Sequence, residues 1–226
     1  MPSISIIIPV LNEAINLKDL LAQLEEWRND EDEVIFVDGG SEDAGLDMML
    51  RSGFSVIRCE PGRAQQLNQG AMSAKGDILW FLHADSDISK IDRDSFFPQA
   101  PNELFWGFFK VKMSDKSLIF SIIAFCMNWR ASRTRIATGD QGIFVSKSAF
   151  EHAGAYPDIK LMEDIELSRS LGRIAAPIIS QDIIVTSARR WRSNGVIKTI
   201  LLMWTLRLAW SFGCSDRTLR RLYDGW

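Results

Sequence analysis

The sequence predicts an α/β protein, a single domain built on a doubly wound, mostly parallel sheet and closed by a C-terminal helical tail. Three observations carry that reading. Short β-branched apolar runs alternate with segments of helical period four times within the first ~85 residues. Three of those runs end in clusters of acids, Gly and Asn. The 226 residues are 46% hydrophobic and 24% charged, enough apolar material for one sizeable core.

Ser3–Val10 is a continuous apolar run, as expected of a strand buried on both faces. Asn12 or Asn16 can cap the following helix, in which Leu17, Leu20, Leu21, Leu24 and Trp27 recur at helical spacing. Glu33–Val37 reads as the second strand, with Ser41 as the N-cap of a helix reaching about Arg51. Phe54–Arg58 is a third strand. Residues 62–75 read as a helix of small residues and Gln, stopped by Gly76, and Asp77–Leu82 is the fourth strand. The second half is less regular. Strands are expected at Trp106–Met113, Gly142–Ser146 and 177–186, and helices at Leu118–Arg130, from a Ser146 cap into Ala153, at Glu163–Leu171 and at Val196–Phe212.

In a sheet of this kind ligands bind at the carboxyl ends of the strands. Those ends carry Pro9-Val10-Leu11-Asn12-Glu13, Asp38-Gly39-Gly40-Ser41 and Asp85-Ser86-Asp87. None holds a Gly-rich dinucleotide fingerprint or a P-loop. Asp85 and Asp87 can both reach a hard cation such as Mg2+ or Mn2+, which would offset the charge of a diphosphate. A turn after a strand explains the same pair without metal.

The motifs Ile7-Ile8-Pro9-Val10-Leu11-Asn12-Glu13, Val37-Asp38-Gly39-Gly40-Ser41, Gly62-Arg63-Ala64, Leu82-His83-Ala84-Asp85-Ser86-Asp87 and Met162-Glu163-Asp164 stand in one order over residues 3–192. In that order and spacing the chain resembles the family-2 glycosyltransferases, in their non-processive bacterial form. The resemblance implies a GT-A fold, a nucleotide-sugar donor, a divalent metal and transfer with inversion at the anomeric carbon. It implies a glycosyltransferase domain over 1–192, with a nucleotide-binding half (1–90), an acceptor half (91–192) and a helical tail (193–226). Pro9, Val10 and Glu13 would line the nucleoside pocket and Asp38 would bond the base. Arg63 would face the nucleotide or its phosphates, Asp85 would lead the metal site and Asp164 would be the catalytic base. Asp140, Gln141, Glu163, Arg190 and Trp191 would belong to the acceptor region.

Blander readings stand beside these. Glu13, Asp38, Glu163 and Asp164 can be acids at helix N-termini, and Arg63 a solvated helix residue. The chain also departs from the family twice. His83 stands where many members carry Asp, which leaves His83 or Asp87 to share the metal with Asp85. Ser187 replaces the first residue of the Q/R-x-x-R-W motif of processive synthases, leaving Arg190-Trp191. A nucleotidyltransferase, which usually needs a Gly/Lys-rich phosphate loop near the first strand, and a non-catalytic nucleotide-binding protein are the alternatives.

A net charge of −3 argues against a nucleic-acid partner. Cys59, Cys126 and Cys214 are widely spaced and odd in number, which with the lack of a signal-peptide pattern points to the cytoplasm. Residues 1–188 carry 18 Lys+Arg against 27 Asp+Glu, whereas residues 189–226 carry 8 against 2. Four of the eight tryptophans, Trp191, Trp204, Trp210 and Trp226, share that basic tail. It is too interrupted to span a membrane, but Trp with Lys and Arg suits peripheral contact at the inner membrane face, where a lipid-linked acceptor would lie. Packing of the tail on the domain, or on the partner of a homodimer, accounts for the same composition.

Overall fold

The computed structural model describes residues 2–93 and 103–225. Within them the chain runs β1 (Ile4–Val10), α1 (Ala14–Trp27), β2 (Glu33–Asp38), α2 (Gly45–Arg51), β3 (Ser55–Arg58), α3 (Arg63–Ser73), β4 (Ile78–Phe81) and β5 (Ser86–Asp87). It continues through β6 (Trp106–Met113), α4 (Leu118–Thr134), a 3-10 turn (Gly139–Gln141), β7 (Phe144–Ser146), α5 (Lys147–His152), α6 (Glu163–Gly172) and β8 (Ile178–Thr186). Three helices close the described chain: α7 (Arg189–Asn194), α8 (Val196–Ser211) and α9 (Asp216–Asp224). Trp226 lies outside the described residues.

The strands form one sheet in the order β3-β2-β1-β4-β7-β6-β8-β5. The first four pair in parallel, as βα units dictate, with Ile7 opposite Ile35 and Phe81. Beyond β4 the sheet is mixed. β7 runs antiparallel to β4 and β6, and β5 antiparallel to β8, while β6 and β8 are parallel. Helices cover both faces. Leu17, Leu20 and Leu24 of α1 and Met49 of α2 pack on Ile4, Ile6, Ile8 and Phe36. Ala64, Leu67 and Ala71 of α3, with Leu167 and Leu171 of α6, pack on Ile7, Ile35, Val37 and Leu79 from the other side. Each fully buried Leu or Ile contributes about 1.5–3 kcal/mol of transfer free energy, so the alternation of β1 side chains between the two layers fixes its register.

Several local expectations are corrected. Neither Asn12 nor Asn16 caps α1. Asn12 sits in the left-handed region (φ 56°) and its Oδ1 accepts from Glu42 N, while Asp43 Oδ2 accepts the N–H of Ala14 at 2.9 Å. The first turn of α1 is thus capped from the β2–α2 loop, a long-range substitute for a local cap. Ser41 does not cap α2, which starts at Gly45; its hydroxyl accepts from Asn12 N instead. Gly76 does not terminate α3, which ends at Ser73. A Cβ there would lie 2.7 Å from Ser5 N, so glycine permits close approach to β1. Ser146 does cap α5, accepting from Ala149 N.

Candidate active site

The carboxyl ends of β1 and β2 are joined by a residue absent from the sequence reading. Gln66 is buried in α3, and its Nε2 donates to the carbonyls of Val10 (3.0 Å) and Val37 (2.8 Å). These are the last carbonyls before the Asn12-Glu13 and Asp38-Gly39 turns. Asp38 is wholly buried and accepts from Ser41 N (3.0 Å) and Gly40 N (3.3 Å), shaping the turn after β2; Arg58 Nε lies 3.9 Å away. Val10 is buried beneath this edge and Pro9 is partly exposed. Glu13 accepts from Asn16 and from Arg189 at 3.0 Å, so α7 reaches back to the β1 end.

Across the edge, the second half of the chain builds a pocket against the end of β4. Arg63, His83, Gly139, Tyr156, Glu163 and Asp164 line it. Gly139 opens the 3-10 turn that forms one wall of it. Its N–H donates to Asp164 Oδ2 at 2.8 Å, and a Cβ there would stand 2.2 Å from His83 Nε2, so only glycine lets the turn close on the imidazole. His83 Nδ1 lies 3.2 Å from Asp140 Oδ1. Burial opposes ionisation of Asp140, but the His83 contact, with Arg63 and Arg130, outweighs it and holds the carboxyl below its ordinary value.

Asp164 accepts from Ile165 N (2.7 Å) as well as Gly139 N. A carboxylate offers about four acceptor positions, so two remain for a substrate proton. Met162, the residue entering α6, is held at φ 73°, a strained setting for a non-glycine immediately before Glu163-Asp164. Glu163 is buried, its carboxyl pushed up by desolvation and then by Asp164, with Arg63 Nε at 3.9 Å opposing. Burial and the adjoining Asp164 and Glu163 raise the Tyr156 phenol well above its usual range.

Asp85 differs from its neighbours. Its carboxyl is pushed up by desolvation and, His83 opposing, by Asp140 and Glu13; apart from its own backbone N–H, no described donor meets it. Asp87, by contrast, spends Oδ1 on Ser89 N at 3.0 Å. The structure therefore groups Asp85 with His83 and Asp140 and leaves Asp87 in a turn. Among the described residues no three His, Cys, Asp or Glu side chains form a ready-made metal cage. An under-compensated carboxylate suits a cation that arrives with a diphosphate, because such ions keep waters and take one or two protein carboxylates.

The remaining acceptor-region residues divide. Gln141 is fully buried and structural, its Nε2 donating to Phe109 O and its side chain closing the capping box of the 3-10 turn. The Arg190 guanidinium lies 4.0 Å from the Tyr223 ring centroid, and Trp191 packs beside Met113 and Phe120. Sequence reasoning missed Arg130 and Arg207, half-buried cations both acted on by Asp140 and Asp164; burial first, then Arg207, lowers Arg130 to about 10. The signal for Arg207 was present: it is the lone cation between Thr199 and Ser211, three residues from the inward-facing Trp210.

This sheet, with acids gathered at its carboxyl edge, has the GT-A fold of solved glycosyltransferases. The model of the family described as glycosyl transferase family 2 matches residues 5–91, the first part of this chain. Two uncharacterized glycosyltransferases of Mycobacterium tuberculosis are 24% identical over 187 residues, covering 78% of this chain and 71% of theirs. A mannosyltransferase from Pyrobaculum calidifontis, solved with GDP-Man and Mn2+, shares the fold at TM-score 0.60 and 20% identity over 81% of this chain. This chain spans 56% of that protein's length. Glucosyl-3-phosphoglycerate synthase from M. tuberculosis, solved with Mn2+, UDP and glucosyl-3-phosphoglycerate, matches at TM-score 0.54 and 16% identity, covering 82% of this chain and 70% of its own.

Proposed function

We propose that the protein transfers a sugar from a nucleotide-diphosphate donor to an acceptor hydroxyl with inversion, Asp164 acting as the base. The observation that carries the reading is the fixing of Asp164 between Gly139 N and Ile165 N, in one pocket with Arg63, His83 and Tyr156. A carboxylate so held keeps its orientation while its free lone pairs accept a hydroxyl proton. The nucleoside lies along the Pro9–Glu13 and Asp38 turns, and the acceptor enters over residues 91–192. Asp85, with His83 beside it, holds Mg2+ or Mn2+ together with the diphosphate, and the cation offsets negative charge there. Arg63, Arg130 and Arg207 supply further positive charge near the departing group. The structural relatives solved with GDP-Man or UDP and Mn2+ support a nucleotide-sugar and a metal. The acceptor is a lipid-linked hydroxyl presented at the inner face of a membrane, as the Trp-rich tail suggests.

A panel of nucleotide-sugars, screened by thermal shift with and without Mn2+ and followed by NMR of the product, tests the reading. One donor class should stabilise the fold only with metal and yield a product of inverted anomeric configuration. A retained configuration, or donor binding and turnover indifferent to EDTA, overturns it.

A further inference from the structure

The tail invites a purely electrostatic account, but its cations are largely engaged within the molecule. Arg189 pairs with Glu13, Arg192 with Asp115 and Arg220 with Asp224; Arg190 stacks on Tyr223, and Arg207 turns toward Asp140 and Asp164. What stays open is apolar. On α8, Ile197, Leu201, Trp204 and Leu208 are all exposed, at spacings of four, three and four residues, with Phe212 just beyond at 88% exposure. On α4, Leu118, Ile122, Phe125 and Trp129 repeat the same spacing, Phe125 at 68% and Trp129 at 59%.

Both helices also bury their opposite faces. Phe120, Ile123 and Ala124 of α4 pack with Val196 and Ile200 of α8, and Leu202 and Leu206 pack under Met162 and Ile165. Both of these mainly apolar helices thus pack into one buried cluster, and each carries its exposed stripe on the side away from it. Such a helix belongs inside a core or against lipid, and contiguous apolar patches beyond a few hundred Å2 are rare on monomers unless they bind something. The described helices include none long and apolar enough to cross a membrane. Beside the α4 stripe the exposed charge has one sign: Lys116, Arg133 and Arg135 are exposed, and residues 116–139 contain no acid. A second copy would bring like charges together, whereas an anionic bilayer complements them.

We infer that the outward faces of α4 and α8 form one platform that lays the enzyme on an anionic lipid surface by shallow insertion of its aromatic and aliphatic side chains. This rests on the reading of a membrane-presented acceptor and names the surface that meets the membrane. Because Arg207 projects from the inner side of α8 toward Asp164, docking would bring lipid-borne hydroxyls close to the base.

The test is co-sedimentation of the full chain with phosphatidylglycerol–phosphatidylethanolamine vesicles and with phosphatidylcholine vesicles, alongside sedimentation velocity without lipid. The chain should bind the anionic vesicles with a blue shift in tryptophan emission. Part of that binding should survive about 1 M salt, where charges are screened beyond about 3 Å. Phe125→Ser and Trp204→Ser should each reduce partitioning roughly tenfold with Tm unchanged, because both side chains are already in solvent. Absence of vesicle binding overturns the inference, as does binding that salt abolishes and these substitutions do not touch. A stable lipid-free dimer that the same substitutions dissociate also overturns it. Metal-dependent donor binding, assayed without lipid, reports separately on the glycosyltransferase reading.

Discussion

Both edges of the sheet hold acids and treat them differently. At the amino edge Asp32 is wholly buried, bonded at 2.6 and 2.8 Å to Arg93 and accepting from Ile4 N. Glu33 accepts from Ser5 and Lys75 N, and Asp77 from Ser3. At the carboxyl edge, among the described residues, Asp85 has no donor beyond its own backbone, Glu163 sits 3.9 Å from Arg63, and Arg130 bonds Gln141 at 3.5 Å. A fold completes its electrostatics where charge serves stability and leaves it incomplete where a ligand is to finish it. The contrast marks the carboxyl edge as the candidate site independently of any motif.

Neutralising the base should break the comparison most sharply. Asp164→Asn keeps the shape but cannot take a proton, so kcat should fall roughly 10²–10⁴-fold while donor affinity and Tm barely move. Near-normal turnover would reduce Asp164 to a helix-terminus acid. The amino edge should answer in the opposite currency. Asp32→Asn removes the carboxylate charge that the Arg93 guanidinium bonds twice, a loss of about 1.5–3 kcal/mol and a Tm drop of several degrees. Per folded molecule, activity should be intact. Loss of activity without loss of stability would mean that the amino edge is not merely structural. Between these lies Gln66→Leu, which removes the bond to Val37 O and one of the two that Val10 O accepts, Gly39 N keeping the other, and should cost about 1–3 kcal/mol, read by denaturant midpoint.

How much was legible follows the same divide. β1 to β4 and their helices obey local rules, β-branched runs and helical spacing, and the sequence reading places them within a few residues. Asp85, Asp164 and Glu13 could be named because strand ends and an ordered motif set mark them. Gln66 was hidden because a polar residue on the inner face of a small-residue helix has meaning only once two strand ends are adjacent. The pairing of His83 with Asp140, 57 residues apart, and the arrival of Arg207 from α8 are tertiary facts without local signature. Helices α7 and α9 went unread because they are short, although Leu219, Leu222 and Tyr223 stand at helical spacing in α9 and Ser215 caps it by accepting from Thr218 N. The composition of the basic tail does not reveal that Arg189 and Arg192 find partners in Glu13 and Asp115, far away in sequence.

The smallest expected effect is also the one that tests whether the carboxyl edge is incomplete by design. Burial and the neighbouring Asp140 and Glu13 raise the Asp85 carboxyl above its unfolded value, His83 only partly offsetting them. The folded state therefore holds that proton more tightly than the unfolded chain. The resulting stability is present below the unfolded value and lost as pH rises through the folded one. Near neutral pH the ionised Asp85 is thus a net cost to the metal-free fold. Asp85→Asn should raise the Tm of the EDTA-treated protein by at most a few degrees at neutral pH, and the gap should close as the pH is lowered through the carboxylate range. The same substitution should remove the extra stabilisation that Mn2+ gives with a nucleoside diphosphate, worth about 2.7 kcal/mol for the unmutated chain at ligand a hundredfold above Kd. If Asp85→Asn instead destabilises the metal-free protein, Asp85 is a satisfied structural acid. If it leaves the Mn2+ response whole, the cation is held elsewhere. A pH-dependent gain without metal, coupled to a lost response with it, would show that one residue carries both the strain and its relief.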